Sequence, residues 1–196
     1  MILTRTPFRV TLGGGGTDLS SYYSKYGGFI FSFTLDKYMY ITLKKAFADD
    51  LIRVKYSESE TVEKIDDLKH EIARACLKKN GFSKGIEIAS MADIPSGSGL
   101  GSSSTYTVGL LSALHNLKRD FISVQDLAEE ACEVEIDILK KPMGKQDQYL
   151  AAFGGFLIMD IAKDGKVTVS NAKLSLSTLN ELKSNLMIFY TGKRRL

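Results

Sequence analysis

Asp93-Ile94-Pro95-Ser96-Gly97-Ser98-Gly99-Leu100-Gly101-Ser102-Ser103-Ser104 is the stretch whose reading decides the fold. The apolar run from Gly85 to Met91 comes before it, and after it Tyr106, Leu110, Leu114 and Leu117 recur at helical spacing. The segment is therefore a Gly/Ser loop joining a strand to a helix. Three glycines on alternate positions permit backbone conformations closed to other residues and remove the Cβ atoms that would hold a ligand away. The free amides of the first helical turn, the positive end of the helix dipole and the hydroxyls of Ser102, Ser103 and Ser104 converge on one point. That point suits an anion, above all phosphate. Gly/Ser clusters are often plain loops, and it is the strand-loop-helix context that favours the anion reading. Two common phosphate motifs are excluded. A Walker loop needs Lys-Ser/Thr after its last glycine, where this chain has Ser102-Ser103. A dinucleotide fingerprint needs Gly or Ala at Ser102.

Outward from the loop, the first 56 residues read as β-rich, with strands at Ile2 to Leu12, Phe29 to Leu35, Tyr38 to Lys44 and Leu51 to Tyr56. A helix with Leu68, Ile72, Ala75 and Cys76 as its apolar stripe ends before Gly81. After the loop helix, the capping box at Ser123 to Asp126 opens a helix running to about Leu139. At about 100° per residue, Val124, Leu127, Ala128, Ala131 and Ile138 share a face, while Glu129, Glu133 and Asp137 point away. Glu135 falls inside the apolar face, where a carboxylate is costly unless paired, hydrogen-bonded or bound to a cation. A glutamate paired with Lys or Arg and a metal-binding glutamate fit that position equally. A turn at Met143-Gly144, strands at Phe156 to Ile161, Val167 to Ser170 and Leu186 to Thr191, and a short helix from Ser177 complete one mixed α/β domain without repeats or linkers.

With 196 residues and 44% of them hydrophobic, the chain can bury a substantial core. Its 26 basic and 23 acidic residues are spread evenly, which gives no basic stripe of the kind nucleic acid needs. Lys193-Arg194-Arg195 reads as a solvated end. No apolar run reaches the roughly 18 residues of a membrane span, and the N-terminus lacks a signal-peptide core. Cys76 and Cys132 sit within helices rather than at metal-ligand spacing, so they read as buried reduced thiols, as in a cytoplasmic protein.

Pro95 to Ser103 resembles the phosphate-binding motif of the GHMP kinases, the superfamily of galactokinase, homoserine kinase and mevalonate kinase. The resemblance implies a GHMP kinase N-terminal fold, a mixed sheet with helices packed on it as in domain 2 of ribosomal protein S5. It makes Pro95, Ser96, Gly97, Ser98, Gly99, Leu100, Gly101, Ser102, Ser103 and Ser104 the cradle for ATP phosphates. Mg²⁺ takes oxygen ligands and keeps several waters, and the family pattern assigns it Ser103 and Glu135. Gly144-Lys145-Gln146-Asp147-Gln148 resembles a family segment whose aspartate steers the acceptor hydroxyl, which assigns that role to Asp147. Pro7 to Asp18 resembles the family's first motif. There Arg9 brings charge to the transferring phosphoryl group, and Gly15, Gly16, Thr17 and Asp18 line the acceptor site. The Gly15-Gly16 pair departs from the galactokinase pattern. Across the chain the resemblance is closest to bacterial D-glycero-D-manno-heptose 7-phosphate kinases. It implies a sugar-phosphate substrate phosphorylated on its anomeric hydroxyl. Fucokinase-like or galactokinase-like kinases, and a silent nucleotide-binding fragment, are the alternatives. The family is longer, so residues 1–185 are expected to form the ATP-binding domain and 186–196 to begin a truncated C-terminal domain. An unpaired strand at Leu186 to Thr191 would favour a homodimer.

Overall fold

The computed structural model describes residues 1–189 and Gly192. Its backbone is organised by strand β2 (Gly28–Lys45), 18 residues long, which buries Ile30, Met39, Ile41 and Leu43. Strand β1 (Ile2–Gly13) runs antiparallel along one edge of β2. Strands β5 (Ile86–Ala92) and β6 (Phe156–Ile161) share the other edge, beside Met39–Lys45 and Gly28–Phe33 respectively. β3 (Ile52–Lys55) lies parallel to β5 and antiparallel to β4 (Ser59–Val62), and β7 (Val167–Asn171) closes the far side against β6. The result is a seven-stranded mixed sheet.

Six α-helices complete the described residues: α1 (Ser20–Tyr26), α2 (Glu71–Lys79), α3 (Ser102–Lys118), α4 (Val124–Cys132), α5 (Gln146–Phe153) and α6 (Leu176–Asn185). α3 is buried almost all round, from Ser104 to Leu111 and again at Ala113 and Leu114, and packs on β1 and β2. A helix enclosed in this way needs small or apolar residues on every face, which explains Ala113, Gly109 and the threonines at 105 and 107. At Gly109 a Cβ would stand 2.7 Å from Thr6 Oγ1 and 3.2 Å from Ile41, so its absence lets α3 approach the sheet. One core, with Phe8, Ile41, Leu43, Ile88, Leu110 and Leu114, fills the space between the sheet and α2 and α3. A second, with Ile30, Tyr149, Leu150, Leu157 and Met159, lies where α4 and α5 meet β6.

The mixed α/β expectation holds, and the differences lie in local detail. The two strands expected at Phe29 to Leu35 and Tyr38 to Lys44 are one continuous strand. The β1 pairing jumps from Pro7–Tyr38 to Arg9–Thr34, which absorbs Leu35–Lys37 as an irregularity within β2. α2 starts at Glu71, capped by His70, whose ring nitrogen Nδ1 accepts the Ala73 amide at 3.2 Å. Leu68 is buried just before it. The helix expected to continue to Leu139 changes character after Cys132, where Glu133–Ile138 winds as a π-helix and Leu139 N–H donates to Val134 O. The wider winding and the helix ends move Val124 and Ile138 off the apolar face into solvent. Met143-Gly144, expected as a turn, stays outside any helix, while the polar residues after it, to which the sequence assigned no element, open α5 at Gln146; the short α1 likewise carries no apolar stripe that could have announced it. Leu186–Phe189 forms no strand and is exposed, while Tyr190 and Thr191 of that expectation, and Lys193-Arg194-Arg195, lie outside the described residues. Cys76 and Cys132 are free and buried, and burial pushes both thiols well up. No helix among the described residues is long and apolar enough to cross a membrane.

Gly109→Val should cost about 1–3 kcal/mol by forcing α3 off β1, read as a lower Tm with the fold retained by circular dichroism. His70 gives a pH signature. Desolvation lowers its pKa in the folded protein, so the unfolded chain takes up the proton first. The stability from the neutral imidazole is present above the ordinary histidine range and is lost as pH falls below it. His70→Asn, which caps without titrating, should flatten Tm against pH between about 7 and 5.

Candidate active site

The loop between β5 and α3 has the predicted backbone. Gly97, Gly99 and Gly101 have φ of 77°, 80° and 83°, the left-handed region that glycine enters without strain. Gly101 is the N-cap of α3 and offers no side-chain cap to its first turn. The hydroxyls of Ser98, Ser102 and Ser104 are buried without hydrogen-bond partners. Buried polar atoms are normally paired. Of the three, Ser102 stands in the first turn of α3 and lines the cleft beside the loop, where an anionic ligand would satisfy its hydroxyl.

Arg9, from β1, reaches across the loop mouth. Its Nε and Nη2 donate to Asp147 Oδ1 and Oδ2 at 2.6 and 2.7 Å, and its Nη1 donates to Gly99 O at 2.9 Å. The pair is bidentate and mostly enclosed, with side-chain exposures of 14% and 13%. Asp147 stands in the first turn of α5, and a Cβ on Gly101 would lie 3.3 Å from its Oδ2. The strand, the loop and α5 therefore meet at one charged contact.

Ser103 and Glu135 also meet. The Ser103 hydroxyl donates to Glu135 Oε1, and Gln148 Nε2 donates to Glu135 Oε2 at 2.8 Å. Glu135 is 0% exposed. Lys141 Nζ donates to Ser103 Oγ at 2.9 Å and lies 3.8 Å from Glu135 Oε1, so the salt-bridge and cation-site alternatives coincide in one place. A hydroxyl and a carboxylate are the hard oxygen donors Mg²⁺ takes. The described residues hold no cluster of three or more His, Cys, Asp or Glu able to hold a metal. Ser103 and Glu135 therefore fit a cation that completes its shell with water and phosphate oxygens.

Asp18, almost fully buried, accepts from Gly16 N–H at 3.2 Å and Gln146 N–H at 3.1 Å. A Cβ at Gly144 would collide with its carboxylate. It lines a cavity of about 170 Å³ with Gly16, Gly144 and Asp147, while Gly15 is exposed. Thr17 instead directs its hydroxyl to Gly14 O and Phe29 O, an internal staple for the glycine turn. On the far side of the loop, a cleft of about 730 Å³ runs past Pro95, Ser96 and Ser103 to Met39, Ile94 and Tyr106. The buried Tyr106 hydroxyl has no partner, and burial raises its pKa. Sequence reasoning missed this cleft, Lys141 and Gln148. Gln148 follows Asp147 in a polar stretch to which the sequence assigned no element, and nothing marks it as buried until α5 is packed.

Residues 67–155 match the model of the GHMP kinases N terminal domain. Over 205 aligned residues the chain is 32% identical to the D-glycero-alpha-D-manno-heptose 7-phosphate kinase of Campylobacter jejuni, covering 99% of this chain and 60% of that protein. The crystal structure of a D-glycero-D-manno-heptose 1-phosphate kinase from Bacteroides thetaiotaomicron superposes with a TM-score of 0.87 at 29% identity, over 94% of this chain and 64% of that one. A putative sugar kinase from Campylobacter jejuni gives 0.79 at 31% identity, over 93% and 59%. Residues 67–155 of the chain thus match a GHMP kinase N-terminal domain, and nearly the whole chain is similar to these kinases in sequence and fold. It spans about three fifths of the length of these relatives.

Arg9→Lys keeps the charge and loses the fork. Amide hydrogen exchange at Gly97–Gly101 should then speed by about tenfold or more, as the tie to Gly99 O opens locally, while α3 exchange stays unchanged.

Proposed function

We propose that this chain supplies the nucleotide-binding and phosphoryl-transfer half of an ATP-dependent small-molecule kinase. Its acceptor is a sugar phosphate, D-glycero-D-manno-heptose 7-phosphate in the favoured reading, taken on the anomeric hydroxyl to give the 1,7-bisphosphate. The observation that carries the reading is the junction of the glycine loop with the Arg9–Asp147 pair and the Ser103–Glu135 pair. The names of the relatives at 32% and 29% identity, both heptose phosphate kinases, support the substrate class.

Phosphoryl transfer needs positioning and charge stabilisation more than covalent chemistry. The loop amides and the orphaned hydroxyls of Ser98, Ser102 and Ser104 bind the ATP phosphates, and the cleft lined by Met39, Ile94 and Tyr106 receives the base. Ser103 and Glu135 hold Mg²⁺, which when bound offsets charge on the phosphates. Asp147 orients the acceptor hydroxyl and takes its proton. Arg9, bound to Asp147 and to the loop carbonyl of Gly99, sets the distance between acceptor and phosphate and faces the developing negative charge. Asp18, fixed by Gly16 and Gln146, accepts from sugar hydroxyls. Gly16 lines the acceptor cavity without a side chain and the space beside it is open, which leaves room for a longer phosphorylated sugar.

A coupled ADP-release assay across heptose 7-phosphate, fucose and galactose tests the substrate, and calorimetry with ATP tests the nucleotide site. Turnover should appear with the heptose phosphate alone. Asp147→Asn should lower turnover by about 10³-fold or more while ATP affinity stays within a few-fold. A matching loss of ATP binding would make Asp147 structural. ATP binding with no turnover on any sugar would leave a nucleotide-binding module.

A further inference from the structure

Lys141 stands beside the two oxygens that a divalent cation on Ser103 and Glu135 would contact. Its Nζ donates to Ser103 Oγ at 2.9 Å and lies 3.8 Å from Glu135 Oε1. It also lies 3.4 Å from Oε1 of Glu71, in the first turn of α2. The backbone ties this residue to the π-helix. Lys141 N–H donates to Glu135 O at 2.9 Å, and Lys140 before it adopts the left-handed φ of 54°, rare for a residue with a Cβ. Unusual backbone and π-helical turns concentrate at functional sites, and here both aim one ammonium at one buried carboxylate.

The two carboxylates differ. Glu135 is fully buried, whereas the Glu71 side chain is 57% exposed, and the Lys141 side chain at 21% retains room to move. A buried carboxylate requires a counter-charge. An ammonium and a divalent cation cannot both contact the same two oxygens, since like charges at that separation repel strongly. We propose that Lys141 is the internal counter-cation of this site. It neutralises Glu135 in the absence of nucleotide, excludes free divalent cations, and turns toward Glu71 and the nucleotide cleft when cation and phosphates arrive together. That cleft includes Lys141 along with Ser96, Gly97, Ser102 and Ser103, so the displaced ammonium meets the phosphates there. The protein would thereby accept the cation–nucleotide complex in preference to the bare cation. This inference rests on the reading of Ser103 and Glu135 as the cation pair.

The test compares the full chain with Lys141→Met, which keeps the volume and removes the charge, and with Lys141→Arg, which keeps the charge. Mn²⁺ serves as the probe, titrated with and without ATP and followed by the electron paramagnetic resonance of the free ion. Thermal melting is recorded with and without Mg²⁺. Wild type should bind Mn²⁺ measurably only with ATP present, and its Tm without nucleotide should ignore Mg²⁺. Lys141→Met should melt about 3–6 °C lower, recover on adding Mg²⁺, and bind Mn²⁺ without nucleotide about tenfold tighter than wild type or better. Lys141→Arg should follow wild type. Equal nucleotide-free Mn²⁺ affinity in Lys141→Met and wild type overturns the role of Lys141. If wild type with ATP still binds Mn²⁺ in a way that Glu135→Gln abolishes, the cation pair itself survives. If Mn²⁺ fails to bind even with ATP, the cation pair and the Lys141 role fall together.

Discussion

The forked contact between Arg9 and Asp147 is the interaction on which the site depends. It joins residues 138 positions apart and adds the carbonyl of Gly99, 90 positions from Arg9, through the remaining arm of the guanidinium. Only a planar, multi-donor cation satisfies two carboxylate oxygens and a carbonyl at 2.6, 2.7 and 2.9 Å together. Because the pair is largely enclosed, solvent and salt screen it little. The loop conformation and the placement of Asp147 are thus tied to one side chain rather than to two independent sets of contacts. Gly101 lies against that pair, which adds close approach to its left-handed conformation as a reason for glycine there.

Glu135 poses the opposite problem, a full charge with no access to water. Taking such a group out of solvent costs several kcal/mol, and each hydrogen bond to it returns about 1.5–3 kcal/mol. Ser103, Gln148 and the nearby Lys141 supply that compensation from three different elements. Gln148 follows Asp147 in the chain, so α5 holds the partner of Arg9 with one residue and braces the buried glutamate with the next. The two halves of the site are coupled through a single turn of helix.

Both halves are hung on β2. One edge of that strand holds β1, which carries Arg9, and the other holds β5, which runs directly into the glycine loop. The slip in pairing between Pro7 and Arg9 leaves Phe8 buried in the core while Arg9 reaches the loop. Proline is well placed there, since it lacks an amide to donate and an irregular point in a ladder requires none.

Much of this was legible in the residues themselves. The glycine loop, its left-handed backbone, the strand before it and the helix after it follow from local stereochemistry, which depends on a few neighbouring side chains and no distant ones. Glu135 also announced itself, as a charge on an apolar face. Tertiary structure alone decided which partners met. The π-helix after Cys132 arises because packing overrides the periodicity of about 3.6 residues per turn assumed for an isolated helix. The single long β2 arises because β1 pairs across an irregularity where the sequence showed two separate strands. Lys141 reaches Glu135 through a left-handed Lys140 that no propensity would forecast. A sequence determines by itself what neighbouring atoms dictate; the pairing of Arg9 with Asp147, and the sharing of Glu135 among three groups, required the long-range packing that brings distant charges into one enclosed space.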